Sequence, residues 1–215
     1  MKNVIAIDGP GGAGKSTISK LLAEELNYKY LDTGAMYRAV TFKVLKNKVE
    51  LDNIEKIIET AKNIKFDFNE NDKMYVDNKD LSNYLRSQKV NEHVSEVAGI
   101  KEVRDILVKK QQEIAAVGQV VMDGRDIGTR VLPNAEYKIF LTASLEERAR
   151  RRWNELREKG KNIDYNEVKR SIKKRDQIDR TRKHSPLRKA EDAVELDTSN
   201  LTIKEVIDKI KKIIE

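Results

Sequence analysis

The sequence predicts an α/β fold in which a five-stranded parallel sheet is flanked by helices. Three observations lead there. Apolar runs of strand length alternate with stretches of helical periodicity, as expected of βα units that feed a parallel sheet. The first run leads into Gly9-Pro10-Gly11-Gly12-Ala13-Gly14-Lys15-Ser16, which fits G-x-x-x-x-G-K-S/T between a strand and a helix. The length of 215 residues suits one domain with a full core and room for insertions.

Val4-Ile5-Ala6-Ile7 lies within a strand over 3–8, and a helix over about 15–27 sets Ile18, Leu21, Leu22 and Leu26 toward the core. Glycines between them let backbone N–H groups face inward, and the helix adds its unpaired N–H groups and positive dipole end, so an anion is expected there. Lys15 would reach the β- and γ-phosphates of a nucleoside triphosphate, and the Ser16 hydroxyl would complete the coordination of Mg2+. The ATP-binding set is therefore Gly9, Pro10, Gly11, Gly12, Ala13, Gly14, Lys15, Ser16 and Thr17. A glycine-rich turn that binds nothing is the alternative, and the flanking strand and helix argue against it.

Tyr28-Lys29-Tyr30-Leu31 reads as a second strand, and Gly34 opens a helix to about Lys46. The alternation then breaks over about 48–118. A helix over 52–62 precedes the alternating Ile64, Phe66 and Phe68, a polar turn at Glu70-Asn71-Asp72, and Met74-Tyr75-Val76-Asp77, which predict two short antiparallel strands. Helical pattern returns over about 86–116. The parallel sheet resumes with Gln119-Val120-Val121-Met122-Asp123, Tyr137-Lys138-Ile139-Phe140-Leu141 and Ala193-Val194-Glu195-Leu196. Asp123 ends its strand where phosphate-loop enzymes hold magnesium, directly or through water. Ser144-x-x-Glu147 and Thr202-x-x-Glu205 match the capping box, and Ile203, Val206, Ile207 and Ile210 give the last helix a core-facing stripe.

Without cysteine, disulfides and thiolate metal sites are excluded. No apolar run approaches the ~18 residues of a membrane span, so a cytoplasmic protein without a membrane partner is expected. The net charge of +7 is concentrated: residues 148–189 hold 17 Lys or Arg against 6 Asp or Glu. A nucleic-acid patch, a solvated helix face and a site for a polyphosphate substrate all fit this segment. Only Trp153 and Tyr165 supply aromatics there, which is sparse for base stacking. His93 and His184 stand apart without carboxylate patterns around them, and both read as structural or surface residues.

Further motifs stand in a specific order: Leu31-Asp32-Thr33-Gly34-Ala35-Met36-Tyr37-Arg38, then Asp123-Gly124-Arg125-Asp126-Ile127-Gly128-Thr129, then Arg175-Asp176-Gln177-Ile178-Asp179-Arg180-Thr181-Arg182. Together with the phosphate loop they resemble the bacterial-type cytidylate kinases across essentially the whole chain. The resemblance implies a nucleoside monophosphate kinase fold with a core at about 1–47, 119–147 and 166–215. It also implies a monophosphate-binding insert at about 48–118 and a lid at about 148–165, with Arg148, Arg150, Arg151 and Arg152 unranked within the lid. The implied reaction moves the γ-phosphate of ATP, as its Mg2+ complex, to CMP or dCMP. Lys15, Arg125 and Arg182 would be catalytic, and Thr33, Arg38, Ser95, Arg104, Arg125, Asp126, Arg175, Asp179 and Arg182 would bind CMP, with Asp126 reading the cytosine amine. Ser16 and Asp123 would hold the metal, the partners would be the two nucleotides and no nucleic acid, and a monomer is expected. A kinase for another small acceptor such as shikimate or for another nucleoside monophosphate, or an ATP-dependent nucleic-acid-binding protein, is the alternative.

Overall fold

The computed structural model describes residues 1–69 and 73–214, so the turn expected at Glu70-Asn71-Asp72 lies outside the described residues. Five parallel strands form the main sheet: β1 (Val4–Asp8), β2 (Lys29–Asp32), β5 (Val120–Gly124), β6 (Tyr137–Thr142) and β7 (Val194–Asp197). Their order is β2-β5-β1-β6-β7, with Val4 opposite Val120 and Asp32 opposite Asp123. Every residue of β1 and β5 is buried, which explains why these strands read as continuous apolar runs.

Period-two alternation divides β1 between two cores. Val4 and Ala6 join Leu31 and Met122 on one face, under α2 (Thr33–Lys46), α3 (Ile54–Asn63), α5 (Gln88–Val97) and α6 (Lys101–Ala115). Ile5 and Ile7 face the other side, with Ile18 and Leu22 of α1 (Lys15–Leu26) and Val206, Ile207 and Ile210 of α9 (Ile203–Ile214). The core stripe read in the last helix is therefore real packing. The capping box at Thr202 closes in both directions, Thr202 Oγ1 accepting from the Glu205 N–H and the Glu205 carboxylate accepting from the Thr202 N–H. At Ser144 only half of the expected box forms: Ser144 Oγ accepts from the Glu147 N–H, but the Ser144 N–H donates to Ser199 Oγ and the Glu147 carboxylate is taken by Arg150 and Arg151. The expected antiparallel pair is β3 (Phe66–Phe68) with β4 (Met74–Val76). Ile57, Ala61, Val76, Val94 and Leu107 share one apolar cluster with the sheet, so the stretch between β2 and β5 packs directly on the core.

The helical pattern expected to run over 86–116 is broken. After α4 (Ser82–Leu85), α5 stops at Val97 and α6 restarts at Lys101. Gly99 favours the break, and the Ala98 carbonyl freed by it accepts from Arg104 Nη1 at 3.1 Å. A single π-helical turn, Ile127–Val131, follows β5, and α7 (Leu145–Glu158) and α8 (Tyr165–Thr181) form a hairpin. The hairpin has its own small core of Ala149, Val168 and Ile172, with Trp153 edge-on to Tyr165 at 6.2 Å.

Candidate active site

The loop between β1 and α1 lies at the carboxyl ends of the strands, where open α/β sheets bind ligands. Gly9 at φ +149 passes so close to β6 that a Cβ there would stand 1.9 Å from the Leu141 carbonyl oxygen. Gly14 takes a left-handed conformation as the N-cap of α1, leaving the first N–H groups of that helix without a side-chain cap. Lys15 is buried and donates to the Pro10 carbonyl at 2.8 Å. Burial, with the Arg125 guanidinium nearby, pulls its ammonium down to about 7. Ser16 is half-buried and Thr17 exposed.

Three strand ends bring carboxylates to this loop. Asp8 accepts from the Ile127 and Gly128 N–H groups at 2.8 and 2.7 Å, tying the end of β1 to the turn after Asp126. Burial pushes its carboxyl up to about 7 against the pull of those two bonds. Asp32 caps α2 through the Ala35 N–H and pairs with Arg38 Nη2 at 2.8 Å. Burial would raise its pKa, but Arg38 and Arg86 hold it below the usual range. Asp123 accepts from Tyr30 Oη at 2.8 Å and Ser16 Oγ at 3.3 Å, and burial with the neighbouring Asp32 pushes it up to about 6.

Facing these acids is an arginine cluster drawn from four segments. Arg125 Nε donates to Asp179 Oδ2 at 2.9 Å, and Arg182 Nη1 lies 3.8 Å from Asp179 Oδ1. Arg175 Nε is 4.0 Å from the same carboxylate. Burial, with the like charges of Arg125 and Arg38, pulls Arg175 down to about 10 against the opposing pull of Asp179. Arg104, buried beneath the Tyr37 ring, is hydrogen-bonded to Asp126 Oδ2, whose other oxygen lies 3.7 Å from Arg182 Nη2. Tyr37 Oη and Arg38 Nε are buried with no hydrogen-bond partner among the described residues. Buried donors of this kind are expected where a polar ligand completes the site.

The profile of the cytidylate kinase family matches residues 5–215. The chain belongs to that family. The cytidylate kinase of Fusobacterium nucleatum is 54% identical over 212 residues, covering 99% of this chain and 97% of that protein. Those of Caldanaerobacter subterraneus and Bacillus cereus are 52% and 48% identical, covering 96% and 98% of this chain and 92% and 95% of theirs. An uncharacterized protein from Eubacterium ventriosum shares the fold at a TM-score of 0.53 and 12% identity, covering 99% of this chain and 98% of that one.

Within this cytidylate kinase family chain the structure brings Arg104, Arg125, Asp126, Arg175, Asp179 and Arg182 into one network, with Arg38 on its edge and Thr33 Oγ1 donating to the Asp123 carbonyl at 2.8 Å. Ser95 lies one turn before Ala98, half-buried on α5, and makes no hydrogen bond through its side chain among the described residues. Of the lid arginines, Arg148 reaches the Gly11 carbonyl at 3.0 Å, and Arg151 bonds Thr198, whose hydroxyl is 3.3 Å from the Ala13 carbonyl. Arg150 and Arg152 pair instead with Glu147 and Glu155 on their own helix. Sequence reasoning missed Asp8, Tyr30 and Tyr37. Asp8 had one available signal, an acid ending an otherwise apolar strand; Tyr37 had only its place in the Leu31–Arg38 motif, and Tyr30 had none.

Proposed function

We propose that the chain is an ATP-dependent cytidylate kinase, moving the γ-phosphate of ATP to CMP or dCMP to give ADP and CDP or dCDP. The observation that carries this reading, beside family membership, is the meeting of donor and acceptor sides at one residue. A Cβ on Gly11 of the phosphate loop would stand 3.7 Å from Nη2 of Arg125, an arginine of the acceptor network. Two polyanions can approach only where positive charge awaits them; Arg125, Arg175 and Arg182 supply it, and Lys15 adds to it once a polyphosphate restores its proton.

Lys15 and the N–H groups opening α1 hold the donor phosphates. Arg38, Arg125 and Arg182 hold the acceptor phosphate with planar forks suited to two oxygens at once. Arg175 and Asp179 orient the ribose. Asp126 accepts from the cytosine amine, and Arg104 and Ser95 complete recognition of the base. The acceptor oxygen is already anionic at neutral pH, so no general base is required; orientation and charge suffice.

Mg2+ fits the residues present. The buried carboxylate of Asp123 accepts from two neutral hydroxyls, Tyr30 and Ser16, and is pushed up to about 6, as expected of an anion awaiting a cation. Asp123 and Ser16 would hold the ion together with the nucleotide phosphates and water. When bound it would neutralise charge on the β- and γ-phosphates.

The enzyme acts in the cytoplasm, as a monomer, on small nucleotides rather than on nucleic acid. Supporting the last point, Arg148, Arg151, Arg175 and Arg182 of the basic segment turn inward to carboxylates and the phosphate loop. No helix among the described residues is long and apolar enough to cross a membrane. Coupled ADP release with CMP, dCMP, UMP, AMP, GMP and shikimate tests the reading. CMP and dCMP should lead the series, whereas turnover stimulated by RNA or DNA and indifferent to CMP would overturn it.

A further inference from the structure

Asp176 divides its carboxylate between two distant parts of the chain. Oδ1 accepts from the Gly11 N–H in the phosphate loop at 3.3 Å, and Oδ2 accepts from Arg148 Nη1 at 2.5 Å. The same Nη1 donates to the Gly11 carbonyl at 3.0 Å, while Arg148 Nε is anchored on the Ala143 carbonyl at 2.9 Å. Side chains from the root of α7 and the middle of α8 thus close a ring of hydrogen bonds on one residue of the loop. Both are largely buried, with side-chain exposures of 7% for Arg148 and 12% for Asp176. In this setting each charge depends on the other.

A carboxylate is an unfavourable neighbour for a polyphosphate. It repels the ligand and competes with it for the Gly11 N–H, so affinity cannot be what Asp176 contributes. Its place on α8 suggests geometry instead. Arg175 precedes it, Asp179 follows one turn later, and Arg182 caps the helix. Where Asp176 is held, the face that carries the acceptor arginines is held too.

We propose that Asp176 is a positioning residue for phosphoryl transfer: through Arg148 it pins the root of the α7–α8 hairpin to Gly11 and so sets the Arg175 and Asp179 face of α8 against the phosphate loop. This rests on the kinase reading, and parent turnover on CMP, measured in the same series, tests that reading separately. Steady-state kinetics are compared for the parent, Asp176→Asn, Asp176→Ala, Arg148→Ala and the Asp176→Ala/Arg148→Ala double variant. Asp176→Ala should lower kcat about thirtyfold or more, with KM for ATP and CMP held within about threefold. Asp176→Asn, which keeps the shape and one acceptor oxygen, should recover part of that loss. The double variant should be no slower than the slower single, because both remove one link. If Asp176→Ala melts below the assay temperature, Asp176→Asn decides, and it must lose kcat about fivefold or more at unchanged KM. A rise in KM at constant kcat, additive losses in the double variant, or a kcat for the deciding variant equal to the parent's would overturn the proposal.

Discussion

Lys15 shows how the site is prepared for an anion. Its ammonium rests on a backbone carbonyl, buried, with Arg125 adding like charge, and its pKa is drawn down to about 7. The free protein therefore binds that proton incompletely above neutrality, and a polyphosphate in the loop restores it. At pH 8, where ATP itself is fully ionised, ATP binding should take up a proton, read from binding enthalpies in buffers of different ionisation enthalpy. Lys15→Met should abolish the uptake and lower kcat about a hundredfold to a thousandfold while the protein stays folded. Uptake persisting in the variant would move the proton to another group, and near-normal turnover would remove Lys15 from catalysis.

At the scale of elements, the β1–α1 turn is held as much by contact as by its glycines. Gly9 combines φ +149 with a Cβ position 1.9 Å from the backbone oxygen of Leu141, and backbone within a central sheet cannot yield. Gly9→Ala should cost about 4 kcal/mol or more in chemical denaturation, or prevent folding. A loss under about 1 kcal/mol would show that β6 can move away from the loop. The central strands β1, β5 and β6 were legible because buried parallel strands are apolar over most of their length, whereas the more exposed edge strands β2 and β7 were found from short runs placed between helical stretches; each lies within three residues of its expected bounds. The division between α5 and α6 was not. Apolar residues continue across Ala98, Gly99 and Ile100, and the break is stabilised by Arg104 reaching back to Ala98, a contact that no periodicity reveals. The π turn at Ile127–Val131 was equally hidden, since it depends on Asp8 holding two of its N–H groups from another strand.

At the scale of the molecule, the α7–α8 hairpin has a small core of its own and is tied to Gly11 through Arg148, and under the proposed function its outer part closes as a lid. ATP and CMP together should protect residues 148–165 from proteolysis more than either alone if, as the proposed function requires, arginines of that segment leave their present partners and close on the phosphates. Protection by RNA without nucleotides would instead place the basic segment on nucleic acid. The site was legible in unequal parts. Gly9 to Ser16 could be read from one local motif, because the strand, turn and helix that make the anion site are contiguous. In the candidate acceptor network only Arg125 had a signal apart from the resemblance, its place just beyond the carboxyl end of a core strand; Arg38, Asp126 and Arg175 to Arg182 lie far apart in sequence and are brought together only by the fold. Asp8 and Asp176 act by tying distant segments together: Asp8 is marked locally only as an acid ending an apolar strand, and nothing local distinguishes Asp176 from a surface acid.

Cytosine selection is the point at which the proposed chemistry is most exposed to test. Asp126 sits buried between Arg104 and Arg182, which hold its carboxylate in place, and under the proposed function that carboxylate accepts from the cytosine amine. UMP presents a carbonyl where CMP presents its amine, leaving that carboxylate repelled and unpaired. The decisive measurement is kcat/KM for CMP and for UMP in the parent and in Asp126→Ala. The parent should favour CMP by about tenfold to a hundredfold, the value of a direct contact of roughly 1–3 kcal/mol, and the variant should lose most of that ratio by losing CMP activity. Equal losses on both substrates would contradict it, leaving Asp126 as a support for its arginines and placing cytosine recognition with Ser95 and Arg104.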